Sequence, residues 1–245
     1  MRTSATLAAI AALLLAAPAA RAQDCDCDYD DHGPRRSTGG YAGGSAVFAQ
    51  PRGEFSRFVD NGWGGDLHYI HQLAGPLAVR VDGGMLNYGY ERQRVLLSPT
   101  IGGRVTADLV TTNNVAYLGV GPQIGVPDGA LRPYVGGFVG VSYLFTSSSV
   151  QGSESSEPFA SSTNFEDAAL AYGGGAGVYV PLRRGVSPVS LDVGVTYRNT
   201  GRAEYLTEGS ITDHPDGSIT LRPVRSETDL VAFHVGVSMG VTRRR

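Results

Sequence analysis

Val231-Ala232-Phe233-His234-Val235-Gly236-Val237-Ser238-Met239-Gly240-Val241-Thr242 decides the fold. Every second residue is bulky and apolar, and those between are small or polar. Val189-Ser190-Leu191-Asp192-Val193-Gly194-Val195-Thr196-Tyr197-Arg198 repeats the pattern. A period of two puts the two sets on opposite faces of a β-strand. In a soluble barrel that binds a ligand in a greasy interior, the bulky row lines the core. In a membrane barrel it meets lipid, and the polar row fills the lumen. The polar rows hold charged residues and many glycines, which suits a narrow lumen better than a broad wet face.

Six more strand candidates precede these two. They cover about residues 40–50, 63–73, 77–90, 110–126, 132–145 and 168–182. The first alternates too weakly for its faces to be assigned. The third slips after Gly83-Gly84, which suggests a bulge there. The inward rows then carry Asp66, His68, Arg80, Asp82, Tyr117, Gln123, Tyr134, Asp192, Arg198 and His234. Charges in a narrow lumen must be paired or hydrated. Arg80 is expected to pair with Asp82 or Asp66, and Arg198 with Asp192. Such a network fixes strand register. The functional alternative is a gated ion path, or a proton-linked switch at His68 or His234. Eight strands enclose room for side chains and no wide channel.

The connections alternate in length. Ala74-Gly75-Pro76, Pro127-Asp128-Gly129 and Arg183-Arg184-Gly185 are tight turns built from the residues such turns favour. The other joins are long, at about 51–62, 92–109, 146–167 and 200–228. The third is rich in Ser and acids, and the fourth carries a hairpin tip at Asp213-His214-Pro215-Asp216-Gly217. Trp63, Tyr143, Phe145, Tyr179 and Tyr197 border the strands and are expected to form the interfacial aromatic girdles.

The start of the chain reads as an export signal: Arg2, an apolar run from Leu7 to Leu15, and Ala20-Arg21-Ala22 before cleavage between Ala22 and Gln23. Segment 1–22 is thus expected to be removed. Residues 23–38 read as a flexible acidic tail, and 39–245 as one barrel domain. Of the 20 basic residues, 18 remain without Arg2 and Arg21 against 23 acidic ones, a net charge of −5. All are Arg, and the balance leaves no basic surface for nucleic acid. The 34 glycines exceed the usual share of about 7%. They sit inside apolar segments, as small lumenal residues would. Cys25, Cys27 and His32 lie in the tail among acids, but without a four-ligand spacing no metal site is expected. No cofactor is expected either.

With its export signal, dyad pattern and turn-loop alternation, the chain resembles the eight-stranded bacterial outer-membrane β-barrel superfamily, that of the OmpA transmembrane domain and the OmpX and OmpW types. The likeness covers about Gly39 to Val241. It implies an all-β, closed, antiparallel up-and-down transmembrane barrel in a Gram-negative cell envelope, with lipid as its main partner. One departure is the ending Met239-Gly240-Val241-Thr242-Arg243-Arg244-Arg245, where such barrels end on an aromatic residue.

Neither a Gly-x-Ser-x-Gly elbow nor a His-Glu-x-x-His motif is present. His71 is expected to face lipid, and His214 sits on the last loop, so no catalytic residue is assigned. The expectation is a non-enzymatic barrel with a structural role and a surface-binding role through its long loops, where an external ligand would sit. The alternatives are a narrow pore or transporter of small apolar molecules, and the soluble lipocalin-like binder. The sequence carries no signal for an oligomeric state.

Overall fold

The computed structural model of the chain describes residues 38–96, 106–152, 158–185, 187–207, 209–214 and 219–242. The proposed cleavage site at Ala22 and Gln23, the tail with Cys25, Cys27 and His32, and Arg243 to Arg245 lie outside the described residues. So do the acidic run 153–157 and the loop tip 215–218.

Seven long strands come first: β1 Thr38–Pro51, β2 Gly62–Ala74, β3 Leu77–Leu96, β4 Thr106–Gly125, β5 Arg132–Gly152, β6 Pro158–Arg183 and β7 Val189–Thr200. Four short strands follow: β8 Arg202–Tyr205, β9 Ile211–Asp213, β10 Ile219–Leu221 and β11 Val224–Glu227. The last strand is β12, Leu230–Thr242. The eight long strands close into a barrel in the order β1-β12-β7-β6-β5-β4-β3-β2, every pair antiparallel. The short ones form two hairpin pairs in the last long loop, β8 with β11 and β9 with β10. The tight turns stand at one end. Gly75 and Gly185 take φ of +52° and +114° there, values that residues with a Cβ rarely adopt.

The alternating rows settle on the expected sides. Leu67, Val139, Leu170 and Val235 are exposed on the outside, Leu170 at 77%. Asp192, Arg198, His234 and Ser238 are buried inside, Asp192 at 0%. A soluble ligand-binding barrel needs the reverse. Hydrocarbon offers no partner to a backbone N–H or C=O, so a sheet in lipid must close on itself with its apolar face outward. This is therefore a transmembrane barrel. Among the described residues no helix is long and apolar enough to cross a membrane; the chain crosses with strands.

On β1, where the sequence left the faces open, Ser45, Val47 and Ala49 point inward. Phe48 points outward, with its ring centroid 4.4 Å from that of Trp63 and 6.4 Å from that of Phe233. Tyr179 corrects the girdle expectation. Even-numbered residues of β6 such as Leu170, Tyr172 and Leu182 face out, so Tyr179 faces the lumen and stacks on Tyr134 at 4.5 Å.

The strands on one side are much longer than the membrane needs. About 9–11 residues span the hydrocarbon, whereas β3 and β4 have 20 each, β5 has 21 and β6 has 26. They rise past the apolar belt as a wall. The expected bulge after Gly83-Gly84 is absent, since register runs unbroken there. It lies between Asn87 and Gly89, with Tyr88 as the extra residue. A second register shift, between Thr146 and Ser147 of β5, makes Asn164 the extra residue of β6. Asn113 and Thr146 pair across β4 and β5, so both bulges stand at one height.

Candidate functional site

The lumen is built in layers. In the lower layers the charged residues pair across the barrel and not along one strand. Arg80 reaches Asp192 at 3.6 Å, and Arg198 reaches Asp82 at 3.3 Å. This corrects the pairs Arg80 with Asp82 or Asp66, and Arg198 with Asp192. Side chains two apart on one strand stand side by side and extend in parallel, whereas β3 and β7 are four places apart in a ring of eight and point at each other.

Hydroxyl and imidazole groups complete the layer. Tyr134 Oη donates to Asp192 Oδ1 at 2.8 Å and lies 3.0 Å from His234 Nε2. Arg80 donates to Tyr179 Oη at 3.2 Å. The Arg198 guanidinium lies between two rings, 4.2 Å from the centroid of Tyr117 and 4.3 Å from that of Phe138. Gln123 is buried among them, and Asp66 is half-buried. His68 is buried as well, and neither ring nitrogen has a hydrogen-bond partner among the described residues. The ten inward residues thus share one lumen, but His68 and Asp66 stand outside the ion pairs.

Glycines make room for these rings. His68 pairs across the sheet with Gly43, Tyr117 with Gly84, Tyr134 with Gly177, Phe138 with Gly173, and His234 with Gly194. A Cβ at Gly177 would stand 2.5 Å from Tyr134 Oη, and one at Gly43 would stand 2.6 Å from His68 Nε2. Each large ring lies flat against the wall over the strand neighbour that lacks a side chain. That is what the high glycine content does.

Above the charges the lumen turns apolar. Val47, Ala49, Leu86 and Leu230 form one layer with Tyr117. Phe55, Tyr88, Val115, Leu144, Ala203 and Tyr205 form the next. Phe55 belongs to a single 3-10 turn, Phe55–Arg57, in the loop after β1. Its ring meets Tyr205 edge-on at 5.1 Å and Tyr88 at 5.7 Å. Two long loops thus fold back into the barrel mouth and stopper it. Sequence reasoning missed this plug, because a lone Phe55 in a polar loop carries no period to read. The two voids below it measure only about 60 Å³ each, room for about two waters.

Over the plug lies an open cup of about 510 Å³, within the usual range for small-molecule pockets, about 300–1,000 Å³. Its wall is the tall part of β3 to β6, and Leu206, Thr207, Gly209 and Ile211 close the far side. The bulges decide what it contains. Below Tyr88 the even-numbered residues of β3 face in; above it Gly89, Glu91 and Gln93 do. Arg92 and Arg94 are thereby turned to the outer face, where they meet Asp108 at 2.5 and 3.4 Å. The hydrogen bond from Arg92 holds the Asp108 carboxyl below its ordinary range, and Arg94 adds to it.

No family model and no curated protein matches the chain. Among solved structures it is similar to Neisserial surface protein A, with 14% identity and a TM-score of 0.46 over 83% of this chain and 97% of that one. It is also similar to Ail, the attachment invasion locus protein of Yersinia pestis, with 14% identity and a TM-score of 0.43 over 82% and 97%. A major outer membrane protein from Thermus thermophilus has 17% identity and a TM-score of 0.41 over 81% and 98%.

Proposed function

We propose that the chain is a non-enzymatic integral protein of a bacterial outer membrane, a filled barrel that holds a binding surface at its external end. Lipid is its partner along the belt, and a ligand is its partner at the long loops. The observation that carries this reading is the lumen: ion pairs span it, and an apolar plug of Phe55, Tyr88 and Tyr205 closes it above. A path for ions or small apolar molecules would need an open passage, and the voids are too small for one.

The test is planar-bilayer recording with the folded chain, alongside gel migration of membrane-extracted protein with and without heating. The expected result is heat-modifiable migration with no sustained unitary current. Steady single-channel currents from the folded form would overturn the scaffold reading in favour of a pore.

A further inference from the structure

We infer that the external cup binds a neutral saccharide. This rests on the reading of the loops as a binding surface and names the ligand class.

Three features of the cup point there. The first is its charge. Asp60 and Glu91 line it, and no Arg, Lys or His does among the described residues. Among the described residues the lining offers no cation to a phosphate, sulfate or carboxylate, and the two acids repel such groups. The β3 bulge is the cause, because it turns Glu91 and Gln93 in and sends Arg92 and Arg94 out.

The second is the hydrogen-bonding surface. The tall wall offers amides and hydroxyls already tied to one another. Thr146 donates to Asn113 Oδ1 at 2.6 Å, Asn164 donates to Ser148 Oγ at 2.7 Å, and Thr111 and Ser148 share a bond at 2.9 Å. These ties fix the side chains while leaving each amide and hydroxyl further bonding capacity. A sugar needs that kind of wall, with donors and acceptors held in place before the ligand arrives. Asn164 is itself the extra residue of the β6 bulge, so both bulges supply the cup.

The third is the aromatic edge. Phe58 stands at the rim, half-exposed, in the loop after β1, while Trp63 and Tyr90 border the cup from strand positions that face outward. A ring that is wet on one face suits the C–H face of a pyranose. Glu91 and Asp60 then accept hydrogen bonds from its hydroxyls, as carboxylates do with polyols.

A cationic ligand would answer the same two acids, and the experiment separates the cases. The chain has one tryptophan, Trp63, at the rim of the cup. The full chain, folded in detergent micelles, is titrated with neutral disaccharides (maltose, lactose, cellobiose and diacetylchitobiose) while Trp63 emission is followed. Spermidine and a heparin oligosaccharide serve as the cationic and anionic probes.

At least one neutral sugar is expected to give a saturable shift that persists in high salt. Asn164→Ala is expected to weaken it roughly tenfold, in line with one lost hydrogen bond and its supporting network. Glu91→Gln keeps an acceptor and is expected to retain sugar binding within a few-fold, whereas cation binding would be lost. Heat-modifiable migration of both variants guards against misfolding. No saturable response to any neutral sugar, or a response confined to spermidine or to the heparin oligosaccharide, overturns the inference. If the wild-type chain still migrates as a non-conducting folded barrel, the proposed scaffold role survives that failure.

Discussion

Arg80 and Asp192 spring from opposite walls of the barrel, yet their charged atoms lie 3.6 Å apart. The same two strands carry a second bridge in the reverse sense, Asp82 to Arg198. Removing Asp192 strands the Arg80 charge and also takes the acceptor from the Tyr134 hydroxyl. Asp192→Ala is expected to cost about 3–5 kcal/mol. Joint replacement by apolar residues, Arg80→Met with Asp192→Leu, is expected to recover the part due to the stranded charge, while Tyr134 still lacks its acceptor. Urea unfolding of the chain refolded in lipid vesicles measures both. A single variant that unfolds with the wild type would show that the pair is idle.

Gly177 lies under the Tyr134 ring. Gly177→Ala brings a Cβ to 2.5 Å from the hydroxyl and 2.7 Å from the Val193 carbonyl. The expected loss is about 1–3 kcal/mol, from overpacking against a backbone that cannot yield. Gly137→Ala is the control. Its nearest neighbour is the Gly173 carbonyl at 3.4 Å, and it is expected to stay within about 0.5 kcal/mol of wild type. Equal effects would mean that the ring needs no bare strand beneath it.

Phe55 anchors the stopper. Phe55→Ala removes the ring that both Tyr88 and Tyr205 meet edge-on. The expected consequence is local: faster amide hydrogen exchange in β8 and β11, with heat-modifiable migration of the barrel retained. Unchanged exchange in those strands would mean that the loops are held by something else.

The tall wall should respond to acid. Asp108 is held below its ordinary value of 3.8 by Arg92 and Arg94. Its contribution is therefore complete above that value and is lost as the pH falls through the lower folded one. Amide exchange at the upper ends of β3 and β4 is expected to quicken only in that acid window, and Asp108→Asn is expected to abolish the dependence. A transition near neutrality would point to another group.

Much of this was legible because a strand in lipid has so strict a period. Rows such as Leu118, Val120 and Ile124 against Tyr117 and Gln123 give the side each residue faces. The tight turns were readable from Gly75 and its kin for the same local reasons. Pairing was not legible, since which charge meets which depends on the far wall and not on the neighbour two residues away. Tyr179 was misread because an aromatic near a strand end fits a girdle equally well, and only its parity puts it inside. The bulge was expected at Gly83-Gly84 because glycine is permissive. It fell at Tyr88, where the extra residue fills the plug. The plug and the cup depend on loops folding back, and no repeating pattern announces that.

The crossed bridges also bear on how such a chain assembles. Arg80 and Asp82 lie on β3, Asp192 and Arg198 on β7, with three strands between them on either side of the ring. A flat or half-curled sheet keeps these groups far apart, so none can be neutralised by its final partner. Rolling up is therefore also the moment of discharge. A chain stalled partway would carry four lone ions on the face it must hide, and hydrocarbon would reject it until the seam between β1 and β12 had formed.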